Sequence, residues 1–184
     1  MLKTDLSRFD NAWYHTGASP LKSVLWYFTN EIIFKSGFFP IYGIKCKILR
    51  LFGAKIGKNV ILKPGVNLKS PWRLTVGDNT WIGEKVWIDN QADITIGANV
   101  CISQGAMLLT GNHDYKKVAF DLIIGKIVLE DGAWVGAQTV VCPGVTLGSH
   151  SILSVGSVAT KDLEAYGIYQ GIPAVKVRER TISG

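Results

Sequence analysis

Cysteine and histidine are scarce in this chain, with three of each among 184 residues. Cys46, Cys101 and Cys142 show no CxxC spacing, which argues against a disulfide framework and a cysteine-rich zinc site. Reduced, mostly buried thiols are expected instead, as in a cytosolic protein. The histidines are not spaced as a converging ligand set, so no metal is expected. The first residues lack the apolar region of a signal peptide, which favours a cytoplasmic location.

Long runs of one chemical character are also missing. The formal net charge is +6, but lysine and arginine are scattered, so no nucleic acid partner is expected. A phosphate-rich cofactor or a membrane-linked acceptor fits this charge better. The apolar stretch 21–52 is interrupted by charges and falls short of the ~20 apolar residues of a spanning helix. We expect helix packed on the body, with peripheral contact to the inner membrane surface as the alternative.

A repeat of six residues runs through the middle of the chain. Most sixth positions carry Ile, Leu or Val, in the series Ile56, Leu62, Leu68; Val76, Ile82, Ile88, Ile94; Ile96, Ile102, Leu108; Leu129, Val135, Val141, Leu147 and Leu153. This period matches neither an amphipathic helix nor an ordinary alternating strand. It predicts an all-β fold, a β-helix whose coils have three flat sides and stack their aliphatic side chains inside a prism.

The corners of the prism carry a second pattern, in which particular residues follow the aliphatic positions. Directly after them come Gly57, Gly77, Gly83, Gly97, Gly136 and Gly148, and three positions after them come Asn59, Asn79, Asn99, Gly132 and His150. Because Gly, Asn and His best tolerate positive φ, both groups predict left-handed backbone at the corners. We interpret the register jumps between Leu68 and Val76, and between Ile94 and Ile96, as small corner bulges.

Three regions follow from the limits of the repeat. Residues 1–52 are predicted to form a partly helical segment that caps the open prism, 53–162 the β-helix, and 163–184 a C-terminal tail. Within the β-helix the hexads stop between Leu108 and Leu129, so residues 109–126 are predicted to protrude as a loop. Such an insertion in a regular solenoid is usually functional or disordered.

Four tryptophans lie in the coils but off the inward register: Trp72, Trp81, Trp87 and Trp134. Large exposed apolar surfaces usually mark an interface or a ligand groove, and closed cyclic symmetry is the ordinary way to bury them. We therefore predict a homotrimer with clefts between neighbouring prisms. For Trp72, simple packing under a loop is the expected role.

Several segments are more distinctive than the hexads: DLS (5–7), LFGAKIGK (51–58), ISQ (102–104), TGNHDY (110–115), PGVTLG (143–148) and GIPA (171–174). With the hexads, they make the whole chain resemble the hexapeptide-repeat O-acetyltransferases, most closely the colanic-acid exopolysaccharide type. The resemblance implies a left-handed parallel β-helix that transfers an acetyl group from acetyl-CoA to a sugar hydroxyl. It also implies a role in exopolysaccharide or cell-surface glycan biosynthesis.

Histidine is the natural base for such a transfer, because imidazole titrates near neutrality. By the resemblance, His113 is the catalytic general base, although Asn112 stands where the family commonly has Ser. No Ser or Cys nucleophile is needed if the acceptor attacks directly. The acidic residue that orients His113 is left open among Asp114, Asp121 and Asp89.

The resemblance also indicates binding residues. Acceptor contacts are expected at Asp89, Asn90 and Asp114. Cofactor contacts are expected at Trp134, Gly136, Ala137, Val155, Thr160, Lys161 and Arg178. Of these, the Ala137 amide is the expected oxyanion donor, Val155 bonds pantetheine through its backbone, and Arg178 lies near the CoA phosphates.

Three other functions compete with sugar O-acetylation. An N-acyltransferase for an amino sugar or an antibiotic would share the fold and the cofactor site. A catalytically silent trimeric scaffold would not bind acetyl-CoA. A γ-carbonic-anhydrase-like protein needs about three converging His ligands, whereas His15 and His150 are interpreted as structural. The acceptor also stays open among an exopolysaccharide repeat unit, a lipid-linked oligosaccharide and a free sugar.

Overall fold

Short parallel strands make up most of the structure, a computed structural model that describes residues 2–37 and 39–184. The chain winds through three flat faces in turn. Face A holds β1 (Lys55–Ile56), β4 (Leu74–Val76), β7 (Ile94–Ile96), β12 (Ile127–Leu129) and β15 (Thr146–Leu147). Face B holds β2 (Ile61–Leu62), β5 (Trp81–Ile82), β8 (Cys101–Ile102), β13 (Trp134–Val135), β16 (Ile152–Leu153), β18 (Gly167–Gly171) and β19 (Ala174–Glu179). Face C holds β3 (Asn67–Leu68), β6 (Trp87–Asp89), β9 (Met107–Leu109), β14 (Val140–Val141) and β17 (Val158–Ala159).

Neighbouring strands within each face are parallel, except that β19 pairs antiparallel with β18 at the edge of face B. The result is a left-handed parallel β-helix of about six coils, as the hexads and the family resemblance predict. Inside the prism, the hexad side chains stack one per coil. On face B these are Leu62, Ile82, Ile102, Val135 and Leu153, and none is more than 1% exposed. Burying each such side chain contributes about 1.5–3 kcal/mol relative to leaving it in water.

The two register jumps are two extra residues at the corner between faces C and A, as predicted: the first coils span 20 residues, from Leu68 to Ile88 for example, and the later ones 18, from Leu129 to Leu147. Ile94 and Ile96 are the two ends of one strand, β7, and both side chains are 1% exposed. Leu74 and Val76 are likewise the two ends of β4, and both side chains are 2% exposed. Because side chains alternate along a strand, the first and third residues of a three-residue strand both point into the prism. Val60 and Leu62, and Val145 and Leu147, are buried in the same way without a jump. The extra residues therefore lie in the corners, which have five residues at 69–73 and 89–93 and three at 142–144.

The corner residues divide into two groups with different physical causes. The residues three positions after the aliphatics have positive φ as predicted, from 55° at Asn59 to 70° at Gly132. The glycines directly after the aliphatics do not, so that half of the prediction was wrong. A Cβ built on Gly83 would lie 2.7 Å from the Gln104 nitrogen, and one on Gly136 would lie 2.6 Å from the Leu153 oxygen. Glycine is needed there because the next coil's backbone occupies the space of a side chain.

Helices occupy the N-terminal part of the chain. α1 (Pro20–Thr29) begins after Ser19, whose side chain accepts a hydrogen bond from the first turn. It continues directly as a π-helical segment (Asn30–Lys35), and α2 (Tyr42–Leu51) follows. Short 3-10 turns cover Leu6–Arg8 and Pro71–Arg73. Within the described ranges, none of these helices has the length and apolar character needed to cross a membrane.

The helices pack on the first coil. The indole nitrogen of Trp26 donates to the Leu68 carbonyl at 2.8 Å. Phe34 and Leu49 are completely buried and belong to the same cluster as the prism core. The first coil would otherwise expose its stacking surface, so this contact extends the core beyond the first coil on its N-terminal side.

Two segments depart from the coil pattern. Between β9 and β12 the chain leaves the prism and forms an antiparallel hairpin of β10 (Gly111–His113) and β11 (Leu122–Ile124). The expected loop 109–126 is therefore partly ordered as strand, and its first residue, Leu109, still belongs to β9. The tail 163–184 includes β18 and β19, which complete face B.

The corner glycines allow a direct test of coil stacking. Gly83→Ala should destabilise the protein by about 1–3 kcal/mol, because the new methyl group overlaps the backbone of the next coil. Gly43→Ala is the matched control: nothing lies within 4 Å of its Cβ position in α2. It should leave stability unchanged or raise it by about 0.4–1 kcal/mol. Chemical denaturation measures both, and equal unfolding free energies for the two variants would contradict the stacking argument.

Candidate functional site

His113 ends β10 where the chain enters the hairpin loop, and its imidazole has one defined partner. The Nδ1 atom lies 2.9 Å from the carbonyl oxygen of Phe120. A carbonyl only accepts hydrogen bonds, so Nδ1 must carry the proton. In the neutral ring this leaves the lone pair on Nε2, which can then accept a proton from another molecule.

Two aromatic rings hold this imidazole in place. The Phe120 ring stacks on it with centroids 4.5 Å apart and planes 9° apart, and the Phe9 ring lies at 5.7 Å. Phe120 itself has a φ of 54°, which is uncommon for a bulky residue. Strained backbone of this kind concentrates at functional sites, where surrounding contacts maintain it.

None of the three aspartates considered as an orienting partner bonds to His113. Asp121 pairs with Lys117 at 2.9 Å, and Asp114 accepts the amide of Lys116 at 3.1 Å. Asp89 forms an ion pair of 2.9 Å with Lys69. The orienting group is a backbone carbonyl, which carries no signature in the sequence.

The N-terminal segment supports the hairpin from outside. The Asp5 amide donates to the Val118 carbonyl at 2.9 Å, Phe9 contacts the His113 ring, and the Tyr14 hydroxyl donates to the Gln91 carbonyl at 3.0 Å. Neither Phe9 nor Phe120 belongs to a motif that the sequence makes visible. Both act through tertiary contacts outside the hexads, so periodicity could not have found them.

The hairpin leaves the prism at the corner between faces C and A, which we call the C/A corner. Thr110 is fixed there because its amide and its hydroxyl both donate to the Asp89 carbonyl, at 3.2 and 2.9 Å. Asn90 is completely buried at the same corner and bonds to the backbone of Ser70 at 2.8 and 2.6 Å. Both ends of the Asn90 amide are thus used within the chain, which leaves neither for an acceptor.

A cavity of about 400 Å³ opens on face C beside this corner. Asp89 lines it together with Tyr14, Asn67, Trp72 and Trp87. Aromatic faces next to carboxylate and amide groups suit a ligand that has both apolar surfaces and hydroxyls.

A second cavity, of about 500 Å³, lies on face B. It brings together five of the seven residues expected to bind the cofactor: Trp134, Gly136, Ala137, Val155 and Arg178. Ser103 and Gln104 also line it; their place one coil before Gly136 and Ala137 could have been found by stepping through the hexads. Thr160 and Lys161 do not line it, because they follow a face C strand and are exposed.

The face B cavity is lined by backbone amides without partners. On face A, three of the five amides that lie two residues after a strand are capped by a carboxylate; the Lys58 amide, for example, donates to Asp78 at 2.7 Å. On face B, the equivalent amides belong to Gln104, Ala137 and Val155. None of these three donates a hydrogen bond to residues 2–37 or 39–184. Gln104 and Val155 are exposed and Ala137 is half-buried, so this row of amides is accessible to a ligand with carbonyl acceptors.

His113 and the face B cavity lie on different sides of the same prism. In a triangular cross-section, face B is opposite the C/A corner from which the hairpin leaves. The outer surface near these sites is aromatic, with Trp81, Trp87 and Trp134 exposed by 58%, 40% and 44%. Trp72 instead donates to the Thr16 carbonyl at 2.7 Å under the N-terminal segment, as predicted.

The remaining histidines have structural surroundings. His150 occupies a corner with positive φ, stacks on Tyr166 with centroids 5.0 Å apart and lies 2.7 Å from the Ser149 hydroxyl. His15 is exposed in the N-terminal segment. Over the described parts of the chain, no group of three or more His, Cys, Asp or Glu side chains is arranged to hold a metal ion.

Comparisons with known proteins agree with this architecture. No protein-family model matches the chain. It is 39% identical over 176 residues to WcaF of Escherichia coli (strain K12), whose name assigns it to colanic acid biosynthesis as an acetyltransferase; the match covers 96% of this chain and 97% of WcaF. A solved hexapeptide-repeat-containing acetyltransferase from Vibrio cholerae has a TM-score of 0.78 at 26% identity, covering 90% of this chain and 96% of that one. A galactoside acetyltransferase in complex with coenzyme A has a TM-score of 0.75 at 22% identity, covering 87% and 81%.

The hydrogen bond to Phe120 predicts the tautomer of His113. Two-bond proton–nitrogen correlation spectra, recorded where imidazoles are neutral, should show His113 with its proton on Nδ1. Exposed His15 is the internal reference for a solvated ring. A proton on Nε2 of His113 would mean that the carbonyl contact does not form in solution.

Proposed function

This chain belongs to the hexapeptide-repeat acetyltransferases, and from that premise we propose that it transfers an acetyl group from acetyl-CoA directly to a sugar hydroxyl, with His113 as general base. The observation that carries the proposal is the Phe120 carbonyl on Nδ1, which leaves Nε2 as the proton acceptor. The likeness to WcaF supports a role in exopolysaccharide or cell-surface glycan biosynthesis.

In the proposed reaction, His113 Nε2 removes the hydroxyl proton as the sugar oxygen attacks the thioester carbonyl. A C–O bond forms, and the carbonyl oxygen gains negative charge that the Ala137 amide stabilises. The C–S bond then breaks, and the imidazolium returns its proton to the departing sulfur. His113 is thus neutral again at the end of the reaction, and the products are the acetyl ester of the sugar and the free thiol of CoA.

The residues of the face B cavity fit acetyl-CoA. The free amides of Gln104, Ala137 and Val155 lie on successive coils, which are spaced about 4.8 Å apart as neighbouring strands are. The pantetheine arm presents amide carbonyls along an extended chain, which such a row can bind. Arg178 lines the same cavity and offers a guanidinium to the phosphates. Thr160 and Lys161 remain candidates only for contacts with parts of acetyl-CoA that extend beyond the cavity.

The separation of His113 from face B supports an active site shared between protomers. In a cyclic homotrimer, the C/A corner of one prism can face the B cavity of its neighbour. The exposed Trp81, Trp87 and Trp134 supply apolar surface for such contacts. Each site would then combine one protomer's base with another protomer's acetyl-CoA.

We place the sugar acceptor in the face C cavity beside the C/A corner. Trp87 and Tyr14 offer aromatic surfaces to the sugar ring, and the Asp89 carboxylate accepts hydroxyl hydrogen bonds. Asp114, next to His113, remains the other acceptor contact; Asn90 is left out because Ser70 occupies its amide. A lipid-linked acceptor would require peripheral attachment of the enzyme to a membrane.

Titration with acetyl-CoA tests the cofactor site without knowledge of the acceptor. At about 100 times its dissociation constant, the ligand should stabilise the folded protein by ~2.7 kcal/mol. The midpoint temperature of unfolding should rise equally in wild type and His113→Ala, because His113 does not line the face B cavity. In Val155→Trp, a variant whose new side chain fills the cavity from an exposed position, acetyl-CoA should not change the midpoint temperature. An absent shift in wild type at millimolar acetyl-CoA would favour a scaffold or another donor.

A panel of hydroxyl and amino sugars then tests the reaction. Thiol release should depend on a hydroxyl acceptor and fall by ~10²–10⁴-fold in His113→Ala, the range for loss of a general base. Activity confined to amino sugars would replace the proposal with N-acylation.

Subunit complementation tests the shared site. His113→Ala and Val155→Trp should each be inactive, yet trimers co-assembled from equal amounts should regain about a quarter of wild-type activity. Most such trimers contain both variants, and each mixed trimer has one site with both components intact. Purified mixed trimers without activity would indicate that each site lies within one chain.

A further inference from the structure

α1 and the π-helical segment have two apolar sides, and only one of them faces the prism. Trp26 and Phe34 are buried on the inner side. The outer side carries Leu21, Val24, Leu25, Phe28 and Ile32, each between 53% and 70% exposed. Their spacing of three or four residues puts them in one stripe along the helix. Packing on the prism explains the inner side and leaves the outer stripe without a structural role.

The second helix extends this stripe into a surface. Leu51, at the end of α2, is 83% exposed and lines a shallow cavity of about 450 Å³ with Leu21, Lys22, Leu25 and Phe52. The two helices therefore present one continuous apolar surface, which we call the helix face: Leu21, Val24, Leu25, Phe28, Ile32 and Leu51. A contiguous exposed apolar patch of this kind marks an interaction site.

The positive charge of the chain is concentrated in the segment that carries the helix face. Residues 20–58 contain seven Lys and Arg against one Glu, whereas the rest of the chain contains thirteen residues of each sign. The whole net charge of +6 therefore lies in this segment. Lys45 is buried and Lys35 pairs with Glu31 at 2.6 Å, but Lys47, Arg50, Lys55 and Lys58 are exposed. These exposed cations favour the binding of an anionic partner.

We propose that the helix face docks on the surface of an anionic phospholipid bilayer. The apolar side chains would lie at the boundary of headgroups and acyl chains, and the surrounding cations would contact lipid phosphates. A second copy of the chain fits less well, because two such faces would bring like charges together. The inference does not depend on acetyl transfer, since it rests on residues outside the proposed active site.

Vesicle flotation of the full chain tests this docking, without acetyl-CoA or acceptor. Vesicles of phosphatidylcholine with phosphatidylglycerol should carry the wild type upward, and pure phosphatidylcholine should bind it about tenfold or more weakly. The triple variant Leu21→Ser, Leu25→Ser, Leu51→Ser should lose about tenfold or more of the binding. Its matched control is Val175→Ser, Val177→Ser, Ile182→Ser, which removes three apolar residues elsewhere that are also more than half exposed, and it should bind as wild type.

A charge variant, Lys47→Gln, Lys55→Gln, Lys58→Gln, measures the electrostatic contribution to vesicle binding. It also tests the proposal if the serine variant fails to fold. It should weaken binding to anionic vesicles, and added salt should weaken wild-type binding in the same direction. Wild type that does not float with anionic vesicles overturns the proposal, as does undiminished binding by both variants. If the folded serine variant instead dissociates in sedimentation, the helix face is a contact between protein copies and the lipid assignment is wrong.

Discussion

The close approach of successive coils is the constraint on which the rest of this structure depends. Strands of two or three residues are too short to be stable individually, so each is held by its neighbours along the prism. Stacking at backbone distance leaves no room for a Cβ at Gly83 or Gly136. It also repeats each corner faithfully, so one side of the prism can carry a row of identical backbone groups. The uncapped amides of Gln104, Ala137 and Val155 are such a row, produced by the same repetition that builds the core.

The proposed base depends on contacts of a different kind. His113 lies on the hairpin that interrupts the repeat, and its ring is fixed by Phe120 and Phe9. A carbonyl partner sets the tautomer without adding the negative charge that an aspartate would bring. The N-terminal segment therefore has two roles, covering the first coil through its helices and supporting the hairpin through residues 5–14.

The division of functional groups between different sides of one prism explains why assembly matters to the proposed chemistry. Face B offers amides and an arginine, whereas the C/A corner offers an imidazole and a cavity with carboxylate and aromatic groups. A prism only a few residues wide cannot fold one side onto the other. The outer side of α1 is separate from both, so the proposed docking is compatible with proposed active sites between protomers.

The sequence alone determined the solenoid, its three faces and the site of the insertion, because every hexad repeats the same local pattern of one aliphatic side chain in six residues. It also indicated His113 and five of the residues that line the face B cavity, through the TGNHDY segment and the family resemblance. It was wrong about the backbone conformation of the corner glycines, since a close approach of the next coil and a turn with positive φ both select glycine. Only the tertiary structure decided that Phe120 orients His113, that Asn90 is occupied by Ser70 and that Phe9 reaches the hairpin. Those contacts join residues up to about a hundred positions apart, and no periodic pattern encodes which distant groups will meet.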